Sequence, residues 1–150
     1  VNFAEYIDSP IFWLRRAWLA TDKSVDGCFA DHTLSAAQYE ILGQLWQEDG
    51  LEQRVLQERL GVSSATLTGV TDGLVERHLV ERRLSVQDAR VKCLFLTAQG
   101  RSLERELGRK IEQLQDCLLQ GMSATERLIV KEWLKRMAAN ISGDCADTKA

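Results

Sequence analysis

Arg90 stands two residues after Asp88, in a turn between two strand-like runs, Leu79–Leu84 and Val91–Leu96. A guanidinium at the tip of such a turn suits insertion into a narrow minor groove, where the negative potential of a duplex is deepest. Asp88 then aims the arginine or braces the turn, because its own charge repels phosphate. Arg77, Arg82, Arg83 and Lys92 surround the turn in sequence and are candidate phosphate contacts. Roughly half of these four are expected to be no more than solvated, the ordinary fate of basic side chains. Just upstream, Ser64, Ala65, Thr66 and Thr68 form a segment whose hydroxyls can donate to phosphates or base edges. Each residue also has a structural reading. Asp88 and Arg90 can form a surface ion pair, which contributes little by itself. One of Ser63 and Ser64 must serve as a helix N-cap.

The charge distribution fits a polyanion better than the total does. The chain carries −3, but Arg77, Arg82, Arg83, Arg90 and Lys92 against Glu81 and Asp88 leave segment 77–92 at +3, so the remainder carries −6. An acidic body with a basic tip steers one face toward phosphate.

The elements that position these residues are legible from caps and periodicity. Ser9-Pro10 is a helix start, and Ile11, Leu14, Trp18, Val25 and Cys28 recur at helical intervals. The first helix therefore spans about 10–29, with residues 1–8 as an arm. Ser35 and Gln38 form a capping box that opens a second helix through about Gln47, stopped by Asp49-Gly50. A third helix, about 53–60, ends at Gly61, where a C-terminus favours a left-handed residue. The fourth runs from about Ser64 to Arg77. Its Leu67, Val70 and Leu74 face inward, which turns Ala65, Gly69, Asp72, Gly73 and Glu76 outward. Asp72 is expected to pair with a wing arginine. Thr97 caps a fifth helix over about 98–120, whose Leu103, Leu107, Ile111, Leu114 and Leu118 make a seam near heptad spacing. Ser123 and Glu126 box a sixth, to about Ile141, with Ile129, Val130, Trp133, Met137 and Ile141 on its apolar face.

Two helices joined by a tight turn, the second sized to the major groove, beside a ribbon tipped with arginine make a winged helix-turn-helix over about 34–97. The predicted fold is mainly α with a small β-wing. Long flanking helices at about 9–30 and 98–141 complete a single domain over 1–150.

This order resembles the MarR (multiple antibiotic resistance regulator) family. The residues that carry the resemblance are Leu34-Ser35 with Gln38 and Leu42, Leu60-Gly61-Val62-Ser63, Thr66, Thr68, Asp72, Leu74 and Leu79-Val80-Glu81-Arg82. Asp88-x-Arg90 followed by Leu96-Thr97-x-x-Gly100 is the most specific part, and the likeness covers about 9–141. The resemblance implies a homodimer whose flanking helices interleave at a two-fold axis. It implies two recognition helices in successive major grooves of a pseudo-palindromic operator in double-stranded DNA. It further implies repression relieved by a small phenolic or other amphipathic ligand, or by cysteine oxidation. The effector pocket would lie between the dimerisation helices and the winged domain, with Trp13, Trp18, His32, Tyr39 and Trp46 as candidate lining residues. Such an aromatic cluster suits a flat aromatic ligand, although each ring singly is also a core candidate.

Two positions depart from the family pattern. His78 stands where glycine is common before the first wing strand, and histidine tolerates the left-handed backbone better than most residues. Gly69 replaces a larger polar or basic side chain, so Ala65, Gly69 and Gly73 form an outward small-residue strip and base readout leans on few side chains.

Other readings stay open on the residues alone. Gly69 and the negative total favour a winged-helix interaction module that does not read DNA. Cys28, near the end of the first helix, is the candidate for a thiol-oxidation sensor. Cys93 lies in a strand, Cys117 in the seam and Cys145 in the tail, and no two cysteines form a C-x-x-C pair. His32 and His78 stand far apart, so neither a metal nor a cofactor is expected. No nucleophile elbow, phosphate loop or paired catalytic group is present, and no enzymatic activity is expected. No apolar run approaches the roughly 18 residues that span a bilayer. Residues 1–6 lack the basic flank and apolar stretch of a signal peptide. A cytoplasmic location without a membrane partner follows as the expectation.

Overall fold

Short side-chain hydrogen bonds set most of the helix starts, and they fall where the caps predict. In the computed structural model, residues 2–85 and 90–144 are described. Helix α1 (Phe3–Ile7) opens on a capping box between Asn2 and Glu5, so part of the predicted arm is helical. Ser9 accepts from the Phe12 N–H and starts α2 (Pro10–Phe29). A 3-10 turn, Ala30–His32, leads to α3 (Ala36–Gln47), whose Ser35–Gln38 box is fully formed. Then follow β1 (Leu51–Glu52), α4 (Gln53–Leu60) and α5 (Ser64–Glu76). Gly61 ends α4 at φ 63°, and His78 adopts φ 56° ahead of β2 (Val80–Leu84). β3 (Lys92–Leu96), α6 (Ala98–Ser102), α7 (Glu104–Leu118) and α8 (Ala124–Asp144) complete the described chain. Thr97 caps α6 as expected. The predicted helix over 98–120 is divided, because α6 ends at Leu103 before α7 begins.

The strand β1 has no signal in a two-residue stretch of sequence and exists through its partner. The sheet order is β1-β3-β2, antiparallel throughout, with Leu51 opposite Leu94 and Val80 opposite Leu96. These four side chains join Phe29, Ile41, Leu42, Leu45, Leu56, Leu67, Leu74 and Leu107 in one core. A Cβ on Gly100 would run into the Leu79 carbonyl, which is why glycine follows three residues after the Thr97 cap. The Trp46 indole N–H donates to the Gly100 carbonyl at 3.0 Å. Asp49 accepts from the Leu96 N–H at 2.8 Å and from Arg101 at 2.5 Å. These three contacts bind the end of α3 and the residues just after it to the junction of β3 and α6.

The chain divides into two compact units, Val1–Leu114 and Gln115–Ala150. In the first, the start of the α7 seam lies on the chain's own core: Leu107 is fully buried, and Leu103 and Ile111 pack against the same core, whereas Leu118 at its end is exposed. In the second, Ser123 and Glu126 exchange the bonds of a capping box at the start of α8. Leu128, Ile129, Trp133, Leu134, Met137 and Ile141 along that helix are all exposed. Among the described residues, no helix is long and apolar enough to cross a membrane.

Candidate nucleic-acid interface

The helix α5 turns a polar surface to solvent because its apolar residues are spent inward. Leu67 and Leu74 are buried, and Thr71 is buried as well, its hydroxyl donating to the Leu67 carbonyl at 2.6 Å. Ser63 is the N-cap: its oxygen accepts from the Thr66 N–H at 3.1 Å and lies 2.8 Å from the Thr66 hydroxyl. Ser64 is thereby relieved of capping and stands exposed on the first turn with Ala65, Thr66, Thr68 and Gly69. The Thr68 hydroxyl donates to the Ser64 carbonyl at 2.9 Å, which leaves its lone pairs outward. Gly69 is open, with no atom near the place of a Cβ. Gly73 differs from the expectation. A Cβ there would come 2.7 Å from the Gln38 amide nitrogen, so this glycine faces α3 and makes room for a capping side chain. The outward small-residue strip is therefore Ala65 and Gly69 alone.

Several of the basic residues hold partners within the chain, Arg54 with Glu58 at 3.6 Å among them. Arg82 forms the expected ion pair with Asp72, at 2.6 Å, although its buried Nη2 lacks hydrogen-bond geometry to the carboxylate. Arg83 pairs with Glu81 and lies 4.8 Å over the Phe95 ring. Arg77 donates to the backbone carbonyls of His32 and Thr33. These three guanidinium groups thus have partners within the chain. Arg90, in the turn, and Lys92, opposite Leu84 at the turn end of the ribbon, are exposed and, with Arg54, line a cleft of about 310 Å³. Arg54 escaped the sequence reading. Its only sequence signal is a position two residues after the 51–52 stretch, and its nearness to Arg90 and Lys92 arises from β1–β3 pairing. Asp88, Ala89 and the rest of the wing tip lie outside the described residues, as does Cys145.

The effector candidates do not share one environment. Tyr39 stacks on Phe29 at 4.5 Å and meets Trp46 edge-on at 5.8 Å. Burial pushes the Tyr39 hydroxyl above its ordinary range. Trp13 and Trp18 are exposed on α2, and Trp13 packs edge-on against Phe12. His32 follows α2 and binds Glu106 of α7, Nε2 to Oε1 at 2.8 Å. Cys28 is half-buried against the core, and Cys117 is exposed. The Cys93 thiol is pushed up by burial and then by the Glu52 charge, so it stays protonated and unreactive. Among the described residues, no three His, Cys, Asp or Glu side chains converge as metal ligands would.

A capped helix with a polar outer face, packed on α3 and α4 and followed by a β-hairpin with basic flanks, defines a winged helix-turn-helix DNA-binding protein. Residues 34–92 match the MarR family. The chain is 30% identical to the HTH-type transcriptional regulator TtmR of Methylorubrum extorquens (strain PA1) over 150 residues, 95% of this chain and 73% of that one. It superposes on the PcaV transcriptional regulator from Streptomyces coelicolor in complex with its natural ligand (28% identity, TM-score 0.77), covering 93% of this chain and 96% of the other. It superposes also on Bordetella bronchiseptica BpsR, whose DNA binding is regulated by 6-hydroxynicotinic acid (25% identity, TM-score 0.83, coverage 92% and 96%). The chain belongs to the MarR family of DNA-binding transcriptional regulators. Homodimers are typical of these regulators. The match spans 66% and 64% of the length of two further relatives, YdgJ and YwaE of Bacillus subtilis (strain 168).

Proposed function

We propose that the chain is a homodimeric repressor that reads a pseudo-palindromic operator and releases it when a small aromatic or amphipathic ligand binds. One observation carries this reading: the exposed first half of α5, with Ser64, Ala65, Thr66 and Thr68, stands in the same unit as the cleft lined by Arg54, Arg90 and Lys92. The helix supplies donors for base edges and phosphates, and the wing supplies charge for phosphates or a narrow minor groove. Asp88 remains the proposed brace for Arg90. Arg82 and Arg83 contribute to the local field while holding their partners in the chain.

The homodimer is supported by apolar surface. Ile11, Trp13, Leu14, Trp18 and Leu19 on α2, and Leu128, Trp133, Leu134 and Ile141 on α8, are too exposed for an isolated chain in water. The ligand class is supported by the relatives, one seen with its natural ligand and one regulated by a small aromatic acid. Trp13, Trp18, His32, Tyr39 and Trp46 are the proposed lining, and release follows from differential affinity for a state in which the recognition helices are misaligned. A cytoplasmic site of action goes with this role.

Selection of duplexes from a random pool, followed by titration of the winners against salt, tests the reading. An enriched inverted repeat whose affinity falls steeply with salt is expected, because neutralised phosphates release counterions. Absence of enrichment would transfer the weight to a winged-helix interaction module. Operator release by hydrogen peroxide, lost in Cys28→Ser, would instead favour thiol sensing.

A further inference from the structure

Arg77, at the C-terminal end of α5, spans to the turn between α2 and α3. Its Nη1 donates to the Thr33 carbonyl and its Nη2 to the His32 carbonyl, a planar fork on two successive acceptors. The turn is shaped to present them. Thr33 has a left-handed backbone at φ 51°, and its hydroxyl donates to the same His32 carbonyl at 2.8 Å. The turn is also held from its other side by α7. His32 Nε2 lies 2.8 Å from Glu106 Oε1, and Lys110 Nζ lies 3.0 Å from Asp31 Oδ2. The Lys110 hydrogen bond and charge hold the Asp31 carboxyl below its ordinary range. Glu106 and Lys110 are one helical turn apart, so both pairs grip from one face of α7. The same few residues therefore touch the end of the recognition helix and the helix whose Leu107 anchors the core.

We infer that Arg77 is a positioning residue and not a phosphate contact: it clamps α5 to the 30–33 turn, and that turn is the joint through which α7 sets the tilt of α5. A shift of α7 moves Glu106 and Lys110, these carry the turn, and the turn carries the two carbonyls that Arg77 holds. The inference rests on α5 being the DNA-reading helix and adds the route by which its position is set.

The test measures affinity for the enriched duplex across a salt series, in the intact protein and in Arg77→Lys, Arg77→Ala and Glu106→Gln. A clamp needs the fork, so Arg77→Lys should lose affinity by roughly two- to thirty-fold, the range of couplings of this kind, with the salt slope unchanged. A phosphate contact needs only the charge. Lysine would then restore binding, and Arg77→Ala would reduce the salt slope by about 1, an outcome that overturns the inference. Glu106→Gln discriminates by sign and keeps the test open if the Arg77 variants fold poorly. Removal of a carboxylate should tighten DNA binding on charge alone, whereas loss of the joint weakens it; equal or tighter binding overturns the inference. If no duplex is enriched, the operator reading fails by itself. Amide exchange over residues 72–80 in Glu106→Gln then decides the joint: faster exchange than in the unaltered chain supports it, and unchanged exchange overturns it.

Discussion

Helices α7 and α8 read alike in sequence, each with leucines, isoleucines or a tryptophan at helical spacing, yet the first half of α7 is covered where α8 is not, and only Leu118 at the end of the α7 seam is exposed as the α8 residues are. Leu107 of α7 is fully buried and its neighbours Leu103 and Ile111 pack on the core of their own unit. On α8, Leu128 is 54%, Trp133 59% and Ile141 63% exposed, and among the described residues no side chain of that helix is buried. Periodicity states that a helix has an apolar face; it does not state which chain covers the face. On α7 the stripe is narrow and the opposite side carries Glu and Arg, which suits a helix lying on a core. On α8, Ile129, Trp133, Leu134, Met137 and Ile141 lie on one side of the helix, and all of them are exposed. The same is true of the start of α2, where Ile11, Trp13, Leu14, Trp18 and Leu19 are exposed together. The proposed homodimer gives these two faces their cover, and the start of the α7 seam is left to stabilise the subunit.

The comparison breaks most readily at Leu107. Replacement by alanine should cost about 2–5 kcal/mol, the usual range for a fully buried leucine. The loss should appear as a lower unfolding midpoint with little dependence on protein concentration. A midpoint that hardly moves, with weaker self-association in its place, would return the seam to the dimer interface.

Trp133→Ala probes the other helix. Aromatic anchors at an interface centre contribute about 2 kcal/mol or more, so sedimentation should show a shift toward monomer while the first unit keeps its helix content. Unaltered association would mean that this face of α8 is not the dimer contact. Arg90→Ala should touch neither property. Its expected effect is a loss of about 1–3 kcal/mol in operator binding with dimer and midpoint intact; unchanged affinity would remove Arg90 from the interface.

What was legible in advance divides along the same physical line. Ser9, Ser35, Ser63, Thr97 and Ser123 each start a helix where the sequence places them, because a cap is a bond between residues three apart. The Asn2–Glu5 box was equally local and was available as a signal, though the segment reads at first as an arm. The Asp72–Arg82 pair was foreseeable from an acid facing a basic strand. Long-range contacts were not. β1 is a strand only because Leu51 and Glu52 pair with β3, and Gly73 faces inward only because Gln38 is there. Arg77 has the composition of a phosphate contact, and only the folded chain brings it to carbonyls distant in sequence.

The smallest expected effect concerns how each helix is held in acid. The Glu126 carboxyl lies below its ordinary range because the Ser123 hydroxyl and the Ser123 N–H both donate to it at the start of α8. A carboxyl depressed in the folded state adds stability above its ordinary titration range, and that contribution disappears as pH falls through the depressed value. Asp31, held low by Lys110 of α7, behaves with the same sign. The two pairs thus loosen α7 and α8 over one acidic window, but with different consequences. α7 retains Leu107 in the core, whereas among the described residues no side chain of α8 is buried. Circular dichroism from pH 7 to pH 3 should therefore show an acid-dependent loss of helix that is reduced in Glu126→Gln, which cannot titrate, and in Ser123→Ala, which lacks the hydroxyl donor. If Asp31→Asn reduces that loss and Glu126→Gln does not, α7 is the acid-sensitive helix and the contrast between the two helices is reversed.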